Sequence, residues 1–257
     1  MTAEIVVFAG IFGLMIGSFL NVCIGRIPAG ESIVTPGSRC PSCRTPIQWY
    51  DNVPVVSYIL LGGKCRRCRR PISLRYPLVE IVTALAFMGQ AAVIGADPLM
   101  LVSRLTFTGI LIVLFGTDFD TQRLPDVLTL PGIALGLLSS AFLPPGWWSA
   151  LVGTALGAGI LLAIRWIWFR IKHVDAMGLG DVKMLAMIGA FLGWQQVWVV
   201  LVLSSFAGAV LGIALTTARG RSMQSRLPFG TFLAIGAYVA SLWGERLVAW
   251  YLNWSGV

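Results

Sequence analysis

The stretch IVVFAGIFGLMIGSFLNVCIG, residues 5–25, runs for 21 residues without a charged side chain. A helix needs about 20 apolar residues to cross a bilayer, because its backbone polar groups must all be hydrogen-bonded within the helix. A cleaved signal peptide would begin with basic residues, whereas Glu4 precedes this run and Arg26 follows it. The stretch therefore predicts a retained transmembrane helix whose N-terminus lies outside the cytoplasm.

The rest of the chain has the composition of a membrane protein. Of its 257 residues 57% are hydrophobic and 12% are charged, whereas soluble domains carry about 25% charged residues. The long uncharged runs 127–164 and 184–218 each predict a helical hairpin, broken at LPPGWW (143–148) and GWQQ (193–196). We therefore expect an all-α polytopic membrane protein with about eight transmembrane helices, or seven if the helix that opens at Asp181 is too short. The other helices are expected at 77–96, 98–117 and 227–251.

The distribution of basic residues predicts the orientation of these helices. With the N-terminus outside, 17 of the 19 Lys and Arg residues fall in segments that face the cytoplasm, as the positive-inside rule requires. The exceptions, Arg104 and Arg246, lie near outer helix ends, where long side chains reach water. The net charge of +8 thus indicates topology and contact with membrane lipids, and no nucleic-acid partner is expected. The inward segments are 26–75, 118–126, 165–183 and 219–226.

A polar insert at residues 26–75 carries the strongest local motif. CPSC (40–43) and CRRC (65–68) are separated by 21 residues, which is close to the spacing of zinc ribbons. Four thiolates form a closed structural site, and a small insert without a core gains its folding energy from the metal. We therefore predict a zinc-ribbon-like cytoplasmic insert. The basic run KCRRCRR (64–70) is expected to contact lipid phosphate or an anionic ligand. The predicted zinc ligands are Cys40, Cys43, Cys65 and Cys68.

Five aspartates fall at the cytoplasmic ends of the predicted helices. Each alone is typical of a solvated residue, and Asp126 and Asp181 also fit helix N-caps. Together they favour a catalytic site, because two carboxylates held close share one proton and so provide an acid beside a base. In GLGD (178–181), Gly178 and Gly180 would let an extended peptide backbone approach Asp181. The five are Asp118, Asp120, Asp126, Asp175 and Asp181.

No rival set of nucleophile and base stands out. The only histidine, His173, is expected to be an exposed loop residue. Cys23 lies within the first helix and is expected to be a small packing residue.

Several motifs occur in an order that identifies a family. They are GSFLNVCIGRIP (17–28), CPSC with CRRC, ISLRYPLVE (72–80), D…LPD (118–126), GLGDVKM (178–184) and PFGTFLA (228–234). In this arrangement the chain resembles the bacterial type IV prepilin peptidases, GxGD-type aspartyl enzymes of the inner membrane, over nearly its whole length. The resemblance implies cleavage of the leader of type IV prepilins and type II secretion pseudopilins at the cytoplasmic face. It also implies N-methylation of the new terminus with S-adenosylmethionine.

The resemblance also assigns roles to residues. Asp118 and Asp181 match the catalytic aspartates, while Asp126 matches a carboxylate of less defined role. The four cysteines match zinc ligands associated with methyl transfer, and Gly63 and Lys64 in GGKC match positions of the methyltransferase half. The chain would then divide into a first helix (1–25), a zinc-binding insert (26–75) and a peptidase bundle (76–257).

Three departures or ambiguities accompany these assignments. Thr231 stands where the family often has the proline of PFGP, and we expect it to be tolerated. DFDTQRLPD (118–126) lacks the histidine of DxDHxxLPD, a possible helper. Glu80 fits either a ligand contact or an ordinary interfacial carboxylate.

Two alternatives use the same residues differently. DFD (118–120) resembles the DxD cation site of a polyprenyl-phosphate glycosyltransferase, which would need Mg²⁺ or Mn²⁺. A zinc-ribbon membrane scaffold without enzymatic activity would leave the aspartates with no role beyond stability.

Overall fold

The computed structural model describes residues 2–173, 177–219 and 228–255. Within these ranges the chain is almost entirely helical, apart from the loops of the polar insert, which hold a short 3-10 helix at Trp49–Asp51. The α-helices are α1 (Thr2–Arg26), α2 (Val56–Leu60), α3 (Arg75–Ile94), α4 (Pro98–Thr121), α5 (Asp126–Ser140), α6 (Trp147–Lys172), α7 (Leu179–Leu192), α8 (Trp194–Arg219) and α9 (Phe229–Ser255).

A helix lies at each of the eight predicted positions, which confirms the all-α membrane fold class. Six of the described helices, α1, α3, α4, α6, α8 and α9, are long and apolar enough to cross a membrane. Helices α5 and α7 are shorter, with 15 and 14 residues. The helix near Asp181 is therefore short, as the sequence indicated, but it is a separate helix.

The starts of α5 and α7 differ from the predicted caps. The N-cap positions are occupied by Pro125 and Gly178, both in extended backbone conformation. Asp126 is consequently the first residue of α5, and Asp181 is the third residue of α7. The N-cap interpretation of these two aspartates is therefore wrong, because the residue that precedes each helix, and not the aspartate, occupies the N-cap position.

The predicted hairpin breaks are confirmed, although one is tighter than expected. Helices α5 and α6 are separated by residues 141–146, whereas only Gly193 separates α7 from α8. Gly193 has a φ of +83°, a conformation that glycine adopts at little cost. The rest of GWQQ belongs to α8.

The chain divides into two compact units, Met1–Val113 and Leu114–Val257. In the first unit α1 packs closely on α3, because Gly13 and Gly17 lie against the backbone of Ala84 and Glu80. Small residues at such contacts are the usual way for membrane helices to associate. The division of the chain by function into 1–25, 26–75 and 76–257 remains a prediction.

In the second unit α7 is the central helix. Val182 and all residues from Met184 to Leu192 are buried, and α5, α6, α8 and α9 all contact this helix. A Cβ atom on Gly153 of α6 would lie 2.6 Å from the carbonyl oxygen of Gly189 on α7. The two backbones therefore touch, and this contact fixes the helix that carries Asp181.

Candidate active site and metal centre

Asp118 lies in the last turn of α4 and is 5% exposed. The backbone N–H and the hydroxyl of Thr231 both donate to its Oδ2 atom, at 2.7 and 3.1 Å. Thr231 belongs to the first turn of α9, where backbone N–H groups have no partner within the helix and favour an anion. The PFGT motif therefore forms a cradle for the Asp118 carboxylate. From the sequence we expected only that Thr231 would be tolerated in place of the family's proline. The structure shows that Thr231 contacts the Asp118 carboxylate directly.

Asp181 lies in the first turn of the buried helix α7. Its carboxylate accepts a hydrogen bond from the backbone of Gly178, the N-cap residue, as an acidic residue at the third helical position often does. A Cβ atom on Gly178 would be 3.6 Å from Asp181 Oδ2, and Gly178 is exposed. The carboxylate is thus fixed by its own helix but reachable past a residue without a side chain.

The structure brings Asp118 and Asp181 to one region of the second unit. Leu124, in the link between α4 and α5, lies against two glycines. A Cβ atom on Gly180 would be 2.8 Å from Leu124 Cβ, and one on Gly230 would be 2.9 Å from Leu124 Cδ1. Gly230 in turn lies against the carboxylate of Asp118, and the charge of Asp118 acts on Asp181. The two carboxylates therefore interact electrostatically, and their catalytic role remains a prediction.

The other aspartates have different surroundings. Asp126 is bound by Lys183, whose Nζ donates to both carboxylate oxygens at 2.7 Å, and its side chain is 57% exposed. Asp120 is exposed, and Asp175 lies outside the described residues. The sequence therefore predicted that five aspartates lie at the cytoplasmic helix ends. In the structure Asp118 and Asp181 lie in one region, whereas Asp126 forms an ion pair with Lys183.

The four cysteines of the insert form one cluster. Their sulfur atoms all lie within 4.8 Å of one another, and Cys40 Sγ is 3.8 Å from Cys68 Sγ. A tetrahedral zinc with bonds of about 2.3 Å separates its sulfur ligands by about 3.8 Å. The arrangement therefore fits a Cys₄ metal ion, and zinc as that metal remains a prediction.

Two similar hairpins hold these cysteines. In RCPSCRTP (39–46) the residues Arg39 and Pro46 form a β-bridge, and in KCRRCRRP (64–71) the residues Lys64 and Pro71 do the same. In each hairpin the N–H of the first cysteine donates to the carbonyl five residues on, at 3.0 and 2.9 Å. The repeat is also visible in the sequence when the two eight-residue segments are aligned.

The remaining candidate residues lie as follows. Gly63 has a φ of +68°, and a Cβ atom there would be 2.9 Å from the hydroxyl oxygen of Tyr58. Lys64 forms part of the second hairpin. His173 is exposed at the end of α6 and Cys23 is buried, which confirms both expectations. Glu80 is buried, and its Oε2 accepts the Val55 N–H at 2.8 Å.

Comparison with known proteins agrees with this geometry. Residues 11–94 match the bacterial peptidase A24 N-terminal domain, and residues 105–213 match the type IV leader peptidase family. No solved structure matches the chain.

Curated relatives match along nearly the whole chain. A prepilin leader peptidase/N-methyltransferase of Aeromonas hydrophila is 38% identical, over 95% of this chain and 92% of its own length. Proteins of the same name from Pseudomonas aeruginosa and Dichelobacter nodosus are each 37% identical, over 96% and 93% of this chain and 93% and 92% of their own lengths. This protein therefore belongs to the type IV leader peptidase family.

Proposed function

We propose that this protein removes the leader from type IV prepilins and type II secretion pseudopilins and then N-methylates the new N-terminal residue. Support comes from the family and from relatives whose names combine a leader peptidase with an N-methyltransferase. The observation that carries the proposal is the approach to Leu124 of two glycines, Gly180 beside Asp181 in the chain and Gly230 against the Asp118 carboxylate. Membership in a peptidase family leaves the glycosyltransferase and scaffold alternatives without support.

The proposed cleavage uses the two carboxylates as one acid and one base. Two donors from Thr231 stabilise a carboxylate at Asp118, because hydrogen bonds to charged groups are the stronger ones. Asp118 is therefore assigned to take a proton from the water that attacks the scissile carbonyl. Asp181 gives a proton to the leaving amine.

The second activity is assigned to the insert with its cysteine cluster. Zinc bound by the four thiolates would hold the two hairpins together and supply folding energy. Methyl transfer from S-adenosylmethionine forms an N–C bond as an S–C bond breaks, leaving a thioether and, after loss of a proton to water, a secondary amine.

The protein is a multi-pass inner membrane protein, and we place its active site on the cytoplasmic face. The support is the clustering of 17 of its 19 Lys and Arg residues in the segments assigned to that side, since basic residues keep loops in the cytoplasm. Its proposed partners are prepilins or pseudopilins and membrane lipids, and nucleic acid is not among them.

The test is incubation of the purified protein in detergent with a synthetic prepilin peptide that spans leader and mature N-terminus, followed by mass spectrometry. Without S-adenosylmethionine we expect the free leader and the mature peptide. With it, the mature peptide should gain the mass of one methyl group in place of a hydrogen. Cleavage should persist without Mg²⁺ or Mn²⁺, which a DxD glycosyltransferase would need. An intact peptide after incubation with folded protein would refute the proposal.

A further inference from the structure

A cavity of about 450 Å³ lies within the unit Met1–Val113. The insert contributes most of its wall, including the cysteine hairpins at Cys40 and Cys65, and the rest comes from α1 and α3. Sites for small molecules and cofactors usually measure about 300–1,000 Å³. The cavity therefore has the size of a site for one small organic molecule.

A buried carboxylate lines this cavity. Glu80 is 7% exposed, and its hydrogen bonds come from neutral donors, the Val55 N–H and the Ser18 hydroxyl. Burying a carboxylate costs free energy, which a bound cation can offset. Glu80 thus gives the wall of the cavity a carboxylate whose charged form a bound cation would stabilise.

The residue that Glu80 holds has a strained backbone. Val55 has a φ of +60°. It is the central residue of a γ-turn, in which the Val56 N–H donates to the Pro54 carbonyl at 2.5 Å. This γ-turn is rare and strained, particularly for a β-branched residue. Such strain persists only where the surroundings enforce it, and it concentrates at functional sites. The loop at this wall is therefore held in place by Glu80.

The other walls complement a zwitterionic molecule with an aromatic group. Tyr58 and Tyr76 line the cavity and provide rings on which a purine base can stack. Arg66 also lines it and donates to both carboxylate oxygens of Asp51, at 2.8 and 2.6 Å. These hydrogen bonds lower the pKa of Asp51. Arg67 adds a further guanidinium group to the wall.

We propose that this cavity binds S-adenosylmethionine and that the Glu80 carboxylate is the counter-charge to its sulfonium group. The proposal rests on the methyltransferase function proposed above. The adenine would lie against the tyrosines, the sulfonium group would face the Glu80 carboxylate, and the arginines would receive the carboxylate of the amino acid. Because Cys40 and Cys65 form part of the wall, loss of the metal would also deform the donor site. Gly63 contributes by leaving room for the Tyr58 hydroxyl.

Direct binding to the full-length, zinc-loaded protein tests the charge assignment, measured by calorimetry without prepilin. The variant Glu80→Gln keeps an oxygen that can accept the Val55 N–H but removes the charge. We expect it to weaken S-adenosylmethionine about tenfold or more. S-adenosylhomocysteine lacks the sulfonium charge and should weaken by less than about threefold. The matched control, Glu31→Gln, removes an exposed carboxylate of the same insert and should change neither affinity.

A second variant tests the cavity itself. Ile72 lines it and is half-buried, so Ile72→Trp should weaken both ligands by about tenfold or more, a factor of ten being about 1.4 kcal/mol. Leu60, which is 81% exposed, provides the control Leu60→Trp. Zinc content and thermal unfolding show whether each variant is folded.

The outcomes separate this proposal from the proposed function. Wild-type affinities in folded Glu80→Gln and Ile72→Trp, with methylation intact, would refute the site but not the methyltransferase. Equal weakening of both ligands by Glu80→Gln would refute the counter-charge. A zinc-loaded wild type that binds no S-adenosylmethionine would refute both.

Discussion

Replacement of Gly230 by alanine should slow leader cleavage by about tenfold while the protein remains folded. The added Cβ would lie 3.0 Å from both Cγ and Oδ2 of Asp118 and 2.9 Å from Cδ1 of Leu124. The Leu124 methyl can turn away, but the Asp118 carboxylate is held by two hydrogen bonds from Thr231. To reach an ordinary contact the carboxylate must move by about 0.4 Å, close to the roughly 0.5 Å that catalytic geometry tolerates.

The expected loss follows from the size of this displacement. A shift of about 1 Å can cost about a hundredfold in rate, so a shift of less than half that size should cost about tenfold. The stability cost should fall near the lower end of the roughly 1–3 kcal/mol typical of an added methyl group in a filled core. The assay is the initial rate of cleavage of a prepilin peptide at saturating concentration, with thermal unfolding as the measure of stability.

A matched glycine provides the control. In Gly208→Ala, on α8, the new Cβ would meet Phe232 at 3.6 Å, an ordinary contact. This variant should cleave at the wild-type rate. In both variants methylation of an already cleaved peptide should be unchanged. Wild-type kcat in folded Gly230→Ala, or an equal loss in Gly208→Ala, would show that the position of Asp118 does not control cleavage.

The remaining predictions concern the carboxylates, the metal and the topology. Asp118→Asn and Asp181→Asn should each abolish cleavage without unfolding the protein, and near-normal cleavage by either would exclude the aspartyl mechanism. Wild-type protein should contain about one zinc per chain by metal analysis. Cys65→Ser should abolish methylation but only reduce cleavage, because Cys65 lies in the first compact unit and the two aspartates lie in the second. Full methylation by zinc-free protein would contradict this. Cysteine labelling from the periplasm should reach a reporter at Ser255 and miss one at Ser38; the opposite pattern would overturn the topology. A second inward reporter position, Ser222, lies outside the described residues.

The membrane helices could be predicted because the bilayer imposes a simple requirement on them. Any segment that crosses it must remain apolar for about 20 residues, and the uncharged runs showed this directly. The start of α7 was harder to predict, since Gly178 rather than Asp181 occupies its N-cap. Cap positions depend on local backbone angles, and those are set partly by the neighbouring elements.

The site was predictable to a similar extent. The cysteine spacing identified the cluster, because metal ligands in hairpins recur at fixed intervals. The contact between Thr231 and Asp118 joins residues 113 positions apart, and local patterns cannot reveal such a pairing. The γ-turn at Val55 was also beyond prediction, since valine disfavours a positive φ and only the surrounding structure enforces it.

The close contact between α6 and α7 limits how a peptide can enter. Where Gly153 meets Gly189, the backbones are so close that a methyl group would overlap a carbonyl oxygen. Sliding α7 along its axis would bring residues with larger side chains to this point and force the helices apart. Helix α7 is therefore held in register, and Asp181 keeps its position while the substrate arrives. Opening a path for the peptide must come from displacement of other segments, so inhibitors that wedge against those segments should block entry without touching either carboxylate.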